Sequence, residues 1–255
     1  DKLRQKFYAS TATALCGMNG RYIEMDYQET QMYGDVMAMV KKQLNDFTLD
    51  VAIGGSINDR ITNSTRIDSK NASLKYANVF NLANIVMSSS ASIDQKIDAH
   101  YQLQSVFATA QIGYKEGVFL DLTARNDWSS TLAYTKYEKK GFFYPSVGVS
   151  FLPDKWVKMP EWVSFSKLRG AYSIVGNGVP PFITYPVSYV TAGGEILASD
   201  AAPFAEMKPE MTHSVELGME WKFLQHRLGL NLTYYRTDTY EQFFKLPALA
   251  GDKYA

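Results

Sequence analysis

One pattern constrains this chain more than any other. Apolar and polar residues alternate over segments of about ten residues, and such segments recur along the chain. In GVFLDLTARNDWSSTL (117–132), Val118, Leu120, Leu122 and Ala124 are apolar, with Asp121, Thr123, Arg125 and Asp127 among the residues between them. A period of two places the sets on opposite faces of a β-strand. FTLDVAIGG carries Phe47, Leu49, Val51 and Ile53 on one face, and QLQSVFATAQIGYK carries Val106, Ala108, Ala110 and Ile112. YPSVGVSFL sets Val147, Val149 and Phe151 against Ser146, Gly148 and Ser150. HSVELGMEWKF sets Val215, Leu217, Met219 and Trp221 against Glu216, Gly218 and Glu220. LGLNLTYYR and SKLRGAYSIVG follow the same rule, whereas YGDVMAMVKK is weaker because both its faces are small or apolar.

Length and connection decide what kind of strand this is. Globular strands average about 5–6 residues, while a tilted strand needs about 9–11 to cross a bilayer. The connections sort by parity. Gln43–Asp46, Lys115–Glu116 and Leu224–Arg227 are short, with Pro153–Phe165 a longer member of that side. Asn58–Tyr101, Trp128–Gly141 and Asn177–Met211 are long and polar. Short turns on one side and long loops on the other mark outer-membrane barrels. The expectation is an all-β, antiparallel transmembrane β-barrel. Residues 32–42, 102–114, 142–152 and 212–223 should run one way, and 46–57, 117–127, 166–176 and 228–238 the other.

Bulk properties fit that class. Lys plus Arg and Asp plus Glu each number 26, so there is no basic surplus for nucleic acid. Mean hydropathy is −0.22, and no run of 18 apolar residues forms a membrane helix. Aromatics make up 14% of the chain, as interfacial girdles require. The start, DKLRQKFYAS, has neither an initiator Met nor a signal peptide, so a piece of a longer chain is expected.

Catalytic patterns are absent. His100, His213 and His226 lack metal spacing, and neither HExxH nor CxxC occurs. Cys16 reads as a small apolar residue. Glu216 and Glu220 lie on one strand face among other polar residues, which reads as a polar lining rather than as a glycosidase pair. No enzyme activity, cofactor or metal is expected. Phe142, Phe143, Tyr144, Phe182 and Tyr185 read as girdle and loop packing, with stacking on sugars or peptides as the alternative.

Several longer motifs resemble a known family. SVFATAQIGYKEGVFLDLTARNDWSSTL followed by GFFYPSVGVSFL, then SKLRGAYSIVGNGVPP, then MKPEMTHSVELGMEWKFLQHRLGLNLTYYRTDTYEQFF, resemble the core barrel of SusC/RagA-type TonB-linked outer-membrane transporters of Bacteroidetes. The similarity runs from about 102 to 244 and is weaker over 20–56. The resemblance implies part of a plugged barrel, residues 1–255 lying in the barrel domain, with the plug domain, TonB box and C-terminal strand outside the sequence. It implies a multi-pass protein in the outer membrane of a Gram-negative bacterium. The protein would import glycans or oligopeptides with a SusD-like surface lipoprotein and TonB as partners. Asp121, Thr123, Arg125, Glu216 and Glu220 are then expected to face the lumen. Val118, Leu120, Leu122, Val147, Val149, Leu217, Trp221 and Leu230 are expected to face lipid, with Trp128 at the interface. A structural or secretion-type barrel without active import and a soluble β-rich carbohydrate-binding protein are the alternatives.

Overall fold

The computed structural model describes residues 1–9, 19–70, 74–86, 92–185, 188–190, 196–197 and 204–244. Cys16, Asn71 and the final ALAGDKYA lie outside them. The strands are β1 (Lys2–Phe7), β2 (Arg21–Leu44), β3 (Phe47–Asp68), β4 (Ser92–Tyr114), β5 (Val118–Ser129), β6 (Phe142–Phe151), β7 (Val163–Asn177), β8 (Tyr189–Val190), β9 (Ile196–Leu197), β10 (Glu210–Phe223) and β11 (Leu228–Tyr240). Nine of them form one sheet in the order β1-β2-β3-β4-β5-β6-β7-β10-β11, while β8 and β9 pair as a two-stranded ribbon in the loop between β7 and β10. Each neighbouring pair is antiparallel, with the directions expected from loop parity.

The short connections turn tightly. Asn45, the first residue after β2, takes φ +49°, a conformation Asn tolerates better than most residues. Adjacent turns are tied together, because the Lys115 amide donates to the Asp46 carbonyl at 2.8 Å. Among the described residues the sheet is open: β11 has a neighbour on one side only, and β1 covers β2 only from Arg21 to Asp26.

One expectation needs correction. Residues 58–101 are not one long loop. β3 continues to Asp68 and β4 begins at Ser92, so β2, β3 and β4 have 24, 22 and 23 residues. That is about twice a bilayer crossing. β1, built from KLRQKF, also has no counterpart in the sequence reading. Beyond Asn58 both faces of β3 are largely polar, so alternation disappears although pairing continues to Ile23↔Asp68.

Among the described residues, packed cores appear only at the far ends of the strands. Tyr22, Leu74 and Ile85 form one cluster, with Ile67 and Phe80 against it. Leu132, Val179 and Met207 form another, with Phe142 and Ile183. The first is fastened by Asp68, which is fully buried. Its carboxylate accepts from Arg21 Nε at 2.8 Å, Arg21 Nη2 at 2.7 Å, Arg66 Nη2 at 2.6 Å and the Lys70 amide at 2.8 Å. Next to it the Tyr22 amide donates to Ser69 Oγ, and the Ser69 amide to the Tyr22 carbonyl, each at 3.0 Å.

Burial works to raise the Asp68 pKa, but Arg21, the Lys70 amide and Arg66 together outweigh it and hold the carboxyl below its ordinary value. A carboxyl held low stabilises the fold above the unfolded value of about 3.9, and this stabilisation is lost as pH falls through the lower folded value. The protection of the Tyr22 and Ser69 amides against hydrogen exchange, relative to an unfolded chain at the same pH, should therefore stay high at neutral pH and fall below about pH 4. Asp68→Ala should bring that loss of protection to neutral pH, at a cost of about 2–3 kcal/mol, since two partly exposed arginines lose their shared partner.

Candidate functional site: the two faces of the sheet

Paired residues on antiparallel strands share a face, so the register assigns every side chain of the sheet. One continuous row runs Val40, Val51, Ala110, Leu122, Val147, Tyr172, Val215, Arg236. The next row toward the turns runs Lys42, Leu49, Ile112, Leu120, Val149, Gly170, Leu217, Tyr234. Val118 lies one row further on, with Phe151 and Leu168, and Trp221 pairs with Leu230 beyond that. All eight residues expected on the apolar side thus share one face. That face is uncovered: Leu217 is 56% exposed and Ile53 59%.

The five residues expected on the polar side share the other face. Asp121 lies between Gln111 and Gly148 and accepts from Gln111 Nε2 at 2.6 Å. Thr123 lies between Thr109 and Ser146. Arg125 donates to Asp127 Oδ1 at 2.6 Å and to the buried Ser105 Oγ at 2.8 Å. Glu216 pairs with Arg169 at 3.2 Å, and Glu220 with Lys222 at 3.3 Å. Arg169 also donates to Thr233 Oγ1 at 2.9 Å. The charges on this face largely neutralise one another, in small groups spread over many strands. A surface of this kind suits a hydrated wall.

Sequence reasoning missed the large side chains that lie flat on this wall. Phe107, Phe119 and Arg169 each stand directly opposite a glycine: Gly54, Gly113 and Gly218. A Cβ on Gly54 would come within 2.6 Å of the Phe107 ring and 2.7 Å of the Val36 carbonyl oxygen. A Cβ on Gly218 would meet Arg169 Nε at 2.5 Å. A glycine inside an alternating strand is the signal that could have found them, since it marks close approach by a neighbour.

The apolar face forms a slanted band. On β2 and β3 it reaches Gly34 and Ile57 before the polar row of Asp59 and Gln102. On β11 it stops at Tyr234, and Arg236 and Asp238 follow as an ion pair at 3.0 Å. At the turn side β10 and β11 extend four residues beyond the row of Leu44 and Phe47, to Phe223 and Leu228. A drift of about 13–26 Å along the strands against about 34 Å across them is an incline of roughly 20–37°, close to the strand tilt of outer-membrane barrels. Aromatic residues gather at both edges. The turn side has Phe47–Tyr114 at 4.7 Å, Tyr114–Trp156 at 5.6 Å and Trp162–Phe223 at 5.6 Å between ring centroids. The loop side has Trp128, Phe143 and the Tyr172–His213–Tyr240 group, where the Tyr172 hydroxyl lies 2.7 Å from His213 Nδ1.

The other histidines are scattered. His100 lies 3.5 Å from Asp59, and the His226 amide donates to Ser164 Oγ at 3.3 Å. Among the described residues no three His, Cys, Asp or Glu side chains are placed to hold a metal ion. At the loop side, two loops interlock over the polar face. The Thr184 hydroxyl donates to the carbonyl of Ala133 at 3.0 Å, and the Lys136 amide donates to the Ala205 carbonyl at 3.0 Å. A cavity of about 100 Å³ lies beneath them, lined by Asp127, Tyr144 and Leu132 among others. A larger groove of about 780 Å³ follows the outer part of β2–β4, where Glu24 and Asp26 are paired with Arg4 at 3.5 Å and Lys2 at 3.6 Å.

An uncovered apolar band with aromatic edges, backed by a paired polar wall, defines a membrane-barrel segment. The family model described as TonB dependent receptor-like, beta-barrel matches residues 2–253, and the chain belongs to that family. TonB-dependent receptor P3 of Formosa agariphila is 26% identical over 156 residues, 57% of this chain and 15% of that protein. A chain of the RagAB peptide transporter superposes with a TM-score of 0.77 at 18% identity, covering 97% of this chain and 28% of that one. The RagAB peptide importer in its open-open state gives 0.74, with 97% and 27% covered. The SusC/RagA-type resemblance therefore extends to the fold. This chain spans about a quarter of the length of the solved chains it matches, and less of the curated relative.

Gly54→Ala should destabilise the protein by about 1–3 kcal/mol, because the added carbon meets both a ring and a backbone oxygen. Phe107→Leu in the same molecule should relieve only part of this, since the Val36 carbonyl stays in place. Unfolding of the full-length protein in detergent, followed by heat-dependent gel mobility, measures both.

Proposed function

We propose that this chain is part of the wall of an outer-membrane transporter that imports oligopeptides or glycans. The apolar face meets lipid, and the polar face lines a lumen that holds a plug. Import is driven through TonB acting on that plug, and a SusD-like surface lipoprotein closes the loop side. The observation that carries this reading is the uncovered apolar band with its two aromatic edges. In water such a face would need a second layer of structure. The paired polar wall supports the same reading, because a plug can slide or loosen against a hydrated, self-neutralised surface without leaving buried charges unpaired. The relatives are receptors and transporters, which favours movement of a substrate over its conversion. Oligopeptides are the first class to test, because the solved relatives are peptide transporters and importers.

The test uses the full-length protein in its native host. Removing residues 178–201, part of a loop that interlocks with the 130–141 loop, should leave the barrel folded. It should reduce both co-purification of the lipoprotein and growth on the imported nutrient, with supplied oligopeptides and polysaccharides compared side by side. Unchanged lipoprotein recovery and growth would take this loop out of the mechanism.

The faces have their own test. Leu122→Arg should cost about 2–4 kcal/mol if Leu122 lies near the bilayer midplane, and Thr123→Arg clearly less. Folding stability of both variants in phospholipid vesicles decides. Equal costs, or the larger cost at Thr123, would turn the assignment of the faces inside out.

A further inference from the structure

We propose that the segment 152–163, LPDKWVKMPEWV, is an interfacial anchor that rests on the phospholipid headgroups at the turn side of the barrel. The proposal rests on the reading of the apolar face as lipid-facing. Three observations carry it.

First, this connection is longer than a turn needs, and its extra length is built in place. Pro153–Lys155 forms a 3-10 turn, and the Val163 amide closes a second turn on the Pro160 carbonyl at 2.9 Å. The Leu152 amide donates to the Gly117 carbonyl at 2.7 Å, and the Trp162 carbonyl accepts from the Leu224 amide at 2.9 Å. The segment thus bridges the β4–β5 turn and the β10–β11 turn.

Second, its aromatic residues continue the lower edge of the apolar band. Trp156 packs on Tyr114, and its indole lies so close over Gly117 that a Cβ there would collide with Nε1. Trp162 stacks on Phe223, which stacks in turn on Trp221. Both tryptophans keep much of their surface open, Trp156 at 44% and Trp162 at 55%, and Val157 between them is 60% exposed. An amphipathic ring fixed at the edge of an apolar band is suited to the headgroup layer.

Third, exposed Lys155 and Lys158 flank Trp156 and Val157 and make no ion pair among the described residues, with the segment's two carboxylates, Asp154 and Glu161, standing outside this group of four. Their positions suit lipid phosphates while the apolar side chains enter the acyl boundary. A periplasmic protein docking here would cover the same residues but would shield them from lipid.

The experiment is spin-label depth measurement on the full-length protein in phosphatidylglycerol-containing vesicles, with native cysteines replaced. Labels are placed by Val157→Cys, Leu122→Cys and Lys115→Cys. At Val157 the ratio of oxygen to nickel-chelate collisions should fall between the high value at Leu122 and the water-like value at Lys115, several-fold above the latter. Lys155→Gln with Lys158→Gln should lower the Val157 ratio in these vesicles and leave it unchanged in phosphatidylcholine. A Val157 ratio equal to that of Lys115 places the segment in water and overturns the proposal. Shielding from both reagents means protein covers it, which also overturns the proposal. A water-like Leu122 would instead refute the lipid-facing assignment itself, so the two failures read differently.

Discussion

The inter-strand hydrogen-bond ladder is what the rest of this structure depends on, because among the described residues no second layer packs against the sheet. In a soluble sandwich the apolar faces of two sheets hold each other, and lost ladder bonds are partly offset by burial. Here the large buried side chains lie in two small clusters at the strand ends, and the apolar face of the sheet is open. A bilayer supplies no hydrogen bonds, so each amide facing it must be satisfied along the sheet. The near-continuous register over eight antiparallel interfaces follows from that requirement, as does the placing of irregularities near the strand ends or beyond the band.

The two faces then divide the remaining work. On the proposed reading, branched and aromatic residues on one side need only be apolar and of moderate size, since lipid is fluid. The other side has to be specific, because its charges must find partners at fixed distances. Arg169, reaching both Glu216 and Thr233, links β7, β10 and β11, and Arg125 with Ser105 links β5 to β4. The glycines opposite Phe107 and Arg169 let bulky groups lie against the wall rather than project from it. The space enclosed by such a wall can then be filled by something else.

How much of this was legible in the sequence depended on whether a strand had two different environments. From Val118 to Tyr240 the alternation identified β5, β6, β7, β10 and β11, their directions, and the faces shared by Asp121, Glu216, Leu122 and Leu230. The upper parts of β2, β3 and β4 were invisible because both their faces are polar there, so no contrast remains to produce a period. Pairing in that region rests on the ladder and on cross-strand contacts such as Arg60 with Glu29 and Gln31 with Asn58, which leave no regular trace in one dimension. The Asp68 cluster was equally hidden, since it joins residues nearly fifty positions apart. The wall-lying aromatics left a faint mark, the glycine facing each of them.

The register shift between Thr62 and Asn63 has a consequence for how this barrel can change over time. At that point β4 carries one residue more than β3, so odd residues of β3 share a face with even residues of β4 below it and with odd residues of β4 above it. The two parts of the hairpin are out of phase with each other, and the phase slip is confined to a few residues beyond the apolar band. Insertions or deletions above the slip can be taken up by the outer extension without rotating any side chain in the band below. The outer part of the molecule can therefore diverge in length and shape while the bilayer-height sheet keeps its pattern, much as a gearbox lets one shaft turn independently of another.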